Sequence, residues 1–302
     1  MQKILSAIDN SNLTVEAACV ACSNDLLFFG DCNEHKYYKC VNCDSVQLYP
    51  MPTEEDLVRA YQDSNYATHE HGQGDPDELR TTSKAYYESF VEIAKERNVS
   101  GLVLDYGCGW GGLTECLIKN GFEAKGLEMS QDMVDECKRR GLPVESAKET
   151  KLSELKGSAK AVLMCGVFEH LSEHDNFLQE AYQALDDDGL FISLQPTSSF
   201  ALFFGDLLRL GMRSQVLPSL LAFFDPPWHT CFTSVEGMKS IALRNNFELI
   251  DIKRSPQGNL GGLVGAIQSI TNSINTIGWN LFKTNWPLSV SHTFIFKKIN
   301  PA

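Results

Sequence analysis

Residues 103 to 112 read Val-Leu-Asp-Tyr-Gly-Cys-Gly-Trp-Gly-Gly, and no other run constrains the fold as tightly. A strand-like stretch enters a glycine-dense turn, and Leu113-Thr-Glu-Cys-Leu-Ile then resumes at helical spacing. Strand, tight turn and helix start together make a cradle for a nucleotide-type ligand. Gly107 and Gly109 lack a Cβ, so the backbone there can take positive φ and approach a ligand closely.

The ligand is narrowed by two acids. Gly107, Gly109 and Gly112 satisfy a bare G-x-G-x-x-G pattern, which alone is weak. Glu128 ends the next apolar run, Ala124-Lys-Gly-Leu-Glu, where an acid can accept both hydroxyls of a ribose. Asp105 stands two positions before the first glycine. A carboxylate at that mouth repels a pyrophosphate and suits a cationic amino-acid moiety. The expected ligand is S-adenosylmethionine, which has an ammonium, a sulfonium and no phosphate.

Three segments carry a resemblance. They are Leu104-Asp-Tyr-Gly-Cys-Gly-Trp-Gly111, Gly126-Leu-Glu-Met-Ser130 and Gly166-Val-Phe-Glu-His-Leu171. In this order they resemble the class I S-adenosylmethionine-dependent methyltransferases, over about residues 100 to 255. The resemblance implies a Rossmann-like α/β fold with a doubly wound, mostly parallel seven-stranded sheet. It implies that Gly107, Gly109 and Gly111 line the amino-acid moiety and that Asp105 anchors its ammonium, directly or through water. Glu128 would grip the ribose, Met129 would lie beside adenine and Gly166 would floor the cofactor site. Ala147 and Lys148 are weaker candidates for the adenine edge.

Two C-x2-C pairs precede this core, Cys19-Val-Ala-Cys22 and Cys40-Val-Asn-Cys43, with seventeen residues between them. Four thiolates on two turns joined by a hairpin suit tetrahedral zinc. With every position filled by sulfur, the metal is expected to be structural. Cys32 lies in the intervening loop and is left out of the ligand set. Leu26–Phe29 and Lys36–Lys39 are the expected hairpin strands. A zinc ribbon ahead of this core also resembles methyltransferases of sugar, polysaccharide and antibiotic pathways. The further C-terminal domain of the sugar enzymes has no counterpart here, so their sugar-nucleotide substrate is not carried over.

The expected organisation is a zinc-ribbon module at 1–50, a lid segment and leading helix at 51–98, and the cofactor-binding domain at 99–302. Tyr66, His69 and His71 fall in the lid, and 77–97 reads as an amphipathic helix. Strands are predicted near 102–106, 123–128, 143–145, 160–165, 189–194, 247–253 and 291–298. Helices are predicted near 111–120, 131–140, 174–186 and 234–245. Family resemblance makes the last strand the reversed one. Helical insertions near 197–228 and 255–282 read either as lid and core helices or as an apolar mouth for a greasy or lipid-linked acceptor. The second contains no charged side chain but is too rich in Asn and Gln for a transmembrane span.

A net charge of −13 opposes nonspecific binding to a nucleic-acid backbone. The N-terminal residues lack the pattern of a secretory leader. Ten cysteines without one point to a reducing, cytoplasmic compartment.

Methyl transfer to a hydroxyl or carbon acid needs a proton acceptor. Glu169 and His170 follow the fourth core strand, at the end where open α/β sheets bind ligands. His170 is the first candidate base and Glu169 its orienting partner; packing of the rim is the alternative role for both. His229, in Asp225-Pro-Pro-Trp-His-Thr-Cys-Phe-Thr-Ser, is the second candidate. Thr233 or Ser234 is expected to cap the following helix, Thr233-Ser-Val-Glu236 fitting a capping box, and His174 is expected on the surface. The function expected is O- or C-methylation of a small molecule. An RNA methyltransferase and a noncatalytic binding protein on the same fold are the alternatives.

Overall fold

The computed structural model describes residues 14–32, 34–63, 82–209, 223–256 and 262–300. Its larger sheet contains β5 (Leu102–Tyr106), β6 (Glu123–Glu128), β7 (Val144–Ser146), β8 (Ala159–Cys165), β9 (Leu185–Pro196), β11 (Phe247–Arg254) and β12 (Ser291–Lys298). The spatial order is β11-β12-β9-β8-β5-β6-β7. Strands β5 to β9 pair in parallel, and β12 runs antiparallel to both of its neighbours. This is the expected seven-stranded, mostly parallel sheet with one reversed strand.

Alternation along the strands feeds two cores. Val103, Ala161, Leu163, Ile192 and Ile295 face α2 (Lys84–Glu96) and α3 (Gly112–Lys119), against Phe90, Ile93, Leu113 and Leu117. Leu104, Val162, Met164, Phe191, Phe294 and Phe296 point the other way. There they meet Phe177, Leu178 and Ala181 of α5 (His174–Ala184) and Met238, Ile241 and Ala242 of α7 (Val235–Arg244). A side chain buried between such layers contributes about 1.5–3 kcal/mol. The period-two pattern of β12 therefore serves two apolar faces, with Phe294 and Phe296 on one and Ile295 on the other.

The second sheet has five strands in the order β1-β2-β3-β4-β10. β1 (Thr14–Ala18), β2 (Asp25–Cys32), β3 (His35–Cys40) and β4 (Val46–Leu48) come from the cysteine-bearing region. The fifth, β10 (Cys231–Phe232), arrives from far along the chain and pairs Cys231 with Gln47. Phe29, Tyr37, Val46 and Leu48 share one core with Phe223, Phe224 and Phe232. The phenylalanines Phe223 and Phe224 thus fill an interior instead of lining an apolar mouth.

Four further helices complete the α-helices of the described residues: α1 (Glu54–Asp63), α4 (Gln131–Arg139), α6 (Ser198–Arg209) and α8 (Gly262–Phe282). The helix expected at 77–97 is α2, and its first residues, with Tyr66, His69 and His71, lie outside the described part. No helix among the described residues is long and apolar enough to cross a membrane.

Candidate functional site

The glycine turn joins β5 to α3. Both Gly107 and Cys108 donate backbone N–H bonds to the Leu127 carbonyl, at 2.8 and 3.2 Å, which ties the turn to the end of β6. Gly107 and Gly109 have φ of +70° and +52°, the left-handed region expected of them. A Cβ on Gly107 would lie 2.6 Å from Val167 Cγ2, whereas one on Gly109 would meet nothing within 4 Å. Gly107 is therefore closed by protein and Gly109 opens on space. Gly111 is closed too, by Leu142 and Cys137.

Asp105 is buried, and Thr114 Oγ1 donates to its Oδ2 at 2.7 Å. Burial pushes its carboxyl up to about 7, and the Glu128 charge adds to this. Glu128 accepts from Gly109 N and Ser130 N, both at 2.8 Å, and burial raises its pKa as well. Glu128 is thus bonded to the open glycine itself, and Asp105 is a buried acid near the same turn whose ionised form a cationic ligand would favour. A carboxylate has about four lone-pair sites, so Glu128 can accept further donors beside its two backbone bonds. Met129 is half-buried just after β6, and Lys148, after β7, is exposed.

One strand over, Gly166 leaves β8, with φ +69°, and its missing Cβ would sit 3.7 Å from Glu169 Oε1. Glu169 is 3% exposed, and its Oε2 has no hydrogen-bond partner. Burial raises its carboxyl to about 8. The rings of His170 and His229 meet edge to face with centroids 4.8 Å apart. Glu169, His170 and His229 each offer a ligand atom within 4.8 Å of the other two. Sequence reading thus proposed three residues from two segments that the fold brings together.

The His229 segment is fixed from both sides. Thr230 donates from its N–H and its Oγ1 to the Glu169 carbonyl, at 2.8 and 3.0 Å, and Leu48 N–H donates to the Thr230 carbonyl at 2.8 Å. His229 Nδ1 lies 2.6 Å from the Phe223 carbonyl, so it carries the ring proton and donates. Nε2 of the neutral ring then keeps a lone pair. Tyr37 Oη reaches the carbonyls of Phe224 and His229. Neither Tyr37 nor Thr230 was a sequence candidate. A tyrosine in a hairpin strand and a threonine beside a histidine carry no local signal of such bonds.

The four cysteines also converge. Cys19 and Cys43 have Sγ atoms 3.6 Å apart, and Cys22 and Cys40 3.4 Å apart. All four lie within 4.8 Å of one another, and Cys32 is outside the set. Tetrahedral coordination with Zn–S bonds near 2.3 Å places sulfurs about 3.8 Å apart, so the set fits that ion.

Two expectations need correction. His174 is buried at 3% exposure, with its ring 4.8 Å from that of Phe168. Burial lowers its pKa to about 4, so it serves as a neutral core residue. Of the two expected caps it is Ser234 that serves, its Oγ accepting from Gly237 N at 2.8 Å, and the capping box from Thr233 to Glu236 does not form. Thr233 Oγ1 instead accepts from Gln195 Nε2 at 2.6 Å, and Glu236 pairs with Lys239.

Comparison with known proteins gives a consistent family. The profile described as a methyltransferase domain matches residues 79–252. Ubiquinone biosynthesis O-methyltransferase of Methylococcus capsulatus is 33% identical over 95 residues, 30% of this chain and 40% of that protein. The chain thus spans well under half the length of that relative. Among solved structures, 1,6-didemethyltoxoflavin-N1-methyltransferase of Burkholderia thailandensis, with 1,6-didemethyltoxoflavin and S-adenosylhomocysteine bound, superposes with a TM-score of 0.52. It shares 12% identity and covers 89% of this chain and 97% of that one. Magnesium protoporphyrin IX methyltransferase of Synechocystis PCC 6803, with bound SAH, gives 0.50 at 16% identity, covering 81% and 100%. Likeness at these identities concerns the fold.

Proposed function

The chain belongs to the S-adenosylmethionine-dependent methyltransferase family, and from that premise we propose that it methylates a hydroxyl of a small-molecule acceptor held at the Glu169–His170–His229 rim. The observation that carries this reading is the meeting of those three side chains beside the glycine turn. When bound, S-adenosylmethionine supplies an electrophilic methyl on a sulfonium.

The chain's own residues do the rest. Gly109 leaves room for the amino-acid moiety, and Gly107 and Gly111 hold the turn that creates the room. Asp105 ionises to face the ammonium, and Glu128 accepts the ribose hydroxyls. Met129 lies beside adenine, and Gly166 keeps the floor between cofactor and rim free of a side chain. His170 takes the acceptor's proton, oriented by Glu169, and His229 Nε2 is a second acceptor for it. The choice of oxygen follows the O-methyltransferase relative as well as these bases.

The acceptor has an apolar part. Helix α8 packs Trp279 on His292, which pairs with Gln195 near the carboxyl end of β9, and it leaves Ile274, Ile277 and Leu281 exposed. A sugar, polyketide or lipid-linked intermediate suits such a border. The acidic balance of the chain disfavours RNA, and its ten cysteines accord with a reducing, cytoplasmic compartment. Cys19, Cys22, Cys40 and Cys43 hold a structural zinc, which supplies folding energy to the ribbon.

Transfer of a labelled methyl group into fractionated metabolite, lipid and RNA pools tests this reading. Label in a metabolite or lipid hydroxyl is the expected result. Label in RNA alone, or in no pool, would overturn it.

A further inference from the structure

We propose that Glu169, His170 and His229 bind a divalent cation at the acceptor rim, distinct from the four-cysteine centre. The proposal rests on the reading of that rim as the acceptor site and puts an ion there in place of the base role given to His170 and His229.

Three observations point the same way. One ligand atom from each residue lies within 4.8 Å of the other two, from chain segments nearly sixty residues apart. Glu169, 3% exposed, has an Oε2 with no hydrogen-bond partner. A buried carboxyl without a partner either keeps its proton or takes a cation, and an ion here would engage the unpartnered oxygen. Third, the Nδ1 of His229 is engaged by the Phe223 carbonyl at 2.6 Å. That bond leaves Nε2 as the coordinating atom and orients the ring, as outer partners of metal-binding histidines do.

The donors are also held before any ion arrives. Thr230 clamps the backbone of Glu169 through its N–H and Oγ1, and the same hydroxyl donates to the Leu171 carbonyl at 2.5 Å. The two segments that carry the ligands are thereby fixed to each other. Two imidazoles and one carboxylate suit Mn(II), Fe(II), Co(II) or Zn(II) and leave coordination positions open. The thiolate set at the ribbon selects softer ions, so the centres differ in preference. An ion at the rim would polarise the acceptor hydroxyl and lower its pKa. His170 would then serve as a ligand, and the hydroxyl's proton would pass to water.

The test titrates the full-length, zinc-loaded protein with Mn(II) and follows the free ion by electron paramagnetic resonance. A single Mn(II) per chain is expected. Glu169→Gln and His229→Asn should each weaken it about 10-fold or more, with S-adenosylmethionine affinity by calorimetry and the melting curve close to wild type. Glutamine keeps the shape of the buried side chain, so the first variant stays informative should the second fold poorly. No Mn(II) bound, or equal binding by wild type and both variants, overturns the cation site. Methyl transfer that survives such a result leaves the acceptor reading standing, whereas Mn(II) binding without any hydroxyl acceptor removes that reading and keeps the ion.

Discussion

Tyr37 Oη lies 3.0 Å from the carbonyl oxygen of His229 and 2.7 Å from that of Phe224. One hydroxyl on the cysteine-bearing hairpin therefore fixes the backbone of a histidine that meets His170 at the rim. Ser234 reinforces the link, since its N–H donates to Ser45 Oγ at 3.0 Å and its Oγ donates to the Cys43 carbonyl. The ribbon reaches the candidate acceptor site through these bonds without contributing a reacting group.

Replacing Tyr37 by phenylalanine removes the donor from two buried carbonyls while leaving the ring in its core. The expected destabilisation is about 1–3 kcal/mol. Because only the His229 segment loses its anchor, turnover should fall with S-adenosylmethionine affinity unchanged. Thermal unfolding, calorimetry and a kcat measurement on one preparation check this. A variant with weakened cofactor binding and normal turnover would sink the positioning role.

With zinc held by the four cysteines as proposed, its loss should loosen the same segment. Cys22→Ser is expected to lower bound zinc, read by elemental mass spectrometry, to well under one ion per chain. Hydrogen exchange should then quicken at the amides of Leu48 and Thr230, which bridge β4 to the rim, and stay slow at Val162 in the centre of β8. Equal protection at Leu48 and Thr230 with and without metal would separate the ribbon from the site.

Much of this was legible before any coordinates. The glycine turn, Glu128 and the Glu169–His170 pair follow a strand each, and strand ends are what periodicity locates best. The cysteine spacing likewise states its own geometry. The sequence could not reveal that β10 completes the ribbon sheet, because Cys231 and Gln47 are paired by tertiary packing alone. The same holds for His174, whose surface reading rested on polarity while the ring of Phe168 holds it inside. In the stretch 197–228, phenylalanines suggested either a core or a mouth; at Phe223 and Phe224 the partner that decides, Tyr37, lies almost two hundred residues earlier.

Gly109→Ala and Gly107→Ala separate the ligand's space from the protein's. A methyl on Gly107 collides with Val167, so that variant should lose stability by overpacking as well as by strain. On Gly109 the methyl enters open space, and only the positive φ opposes it, at about 1–2 kcal/mol. Yet Gly109→Ala should nearly abolish S-adenosylmethionine binding if the cofactor fills that space. Calorimetry beside melting curves resolves the two cases, and unimpaired binding by Gly109→Ala would place the cofactor elsewhere.

Asp105 gives the site a dependence on pH whose sign is fixed. Its carboxyl is raised by burial from 3.8 to about 7. Between those values the folded chain holds a proton that the unfolded chain has released, so stability is full below about 4 and declines as pH rises through 7. Asp105→Asn should therefore flatten the decline and melt higher than wild type at pH 8, by an amount of the order of a few kcal/mol. Cofactor binding runs the opposite way. An ammonium favours the ionised acid, so affinity for S-adenosylmethionine should weaken as pH falls from 8 to 6, and binding below 7 should release a proton. Calorimetry in buffers of different ionisation enthalpy measures that release directly. A wild-type affinity that is flat across this range, or an Asp105→Asn variant that still binds tightly, would mean the acid holds the fold and not the ligand.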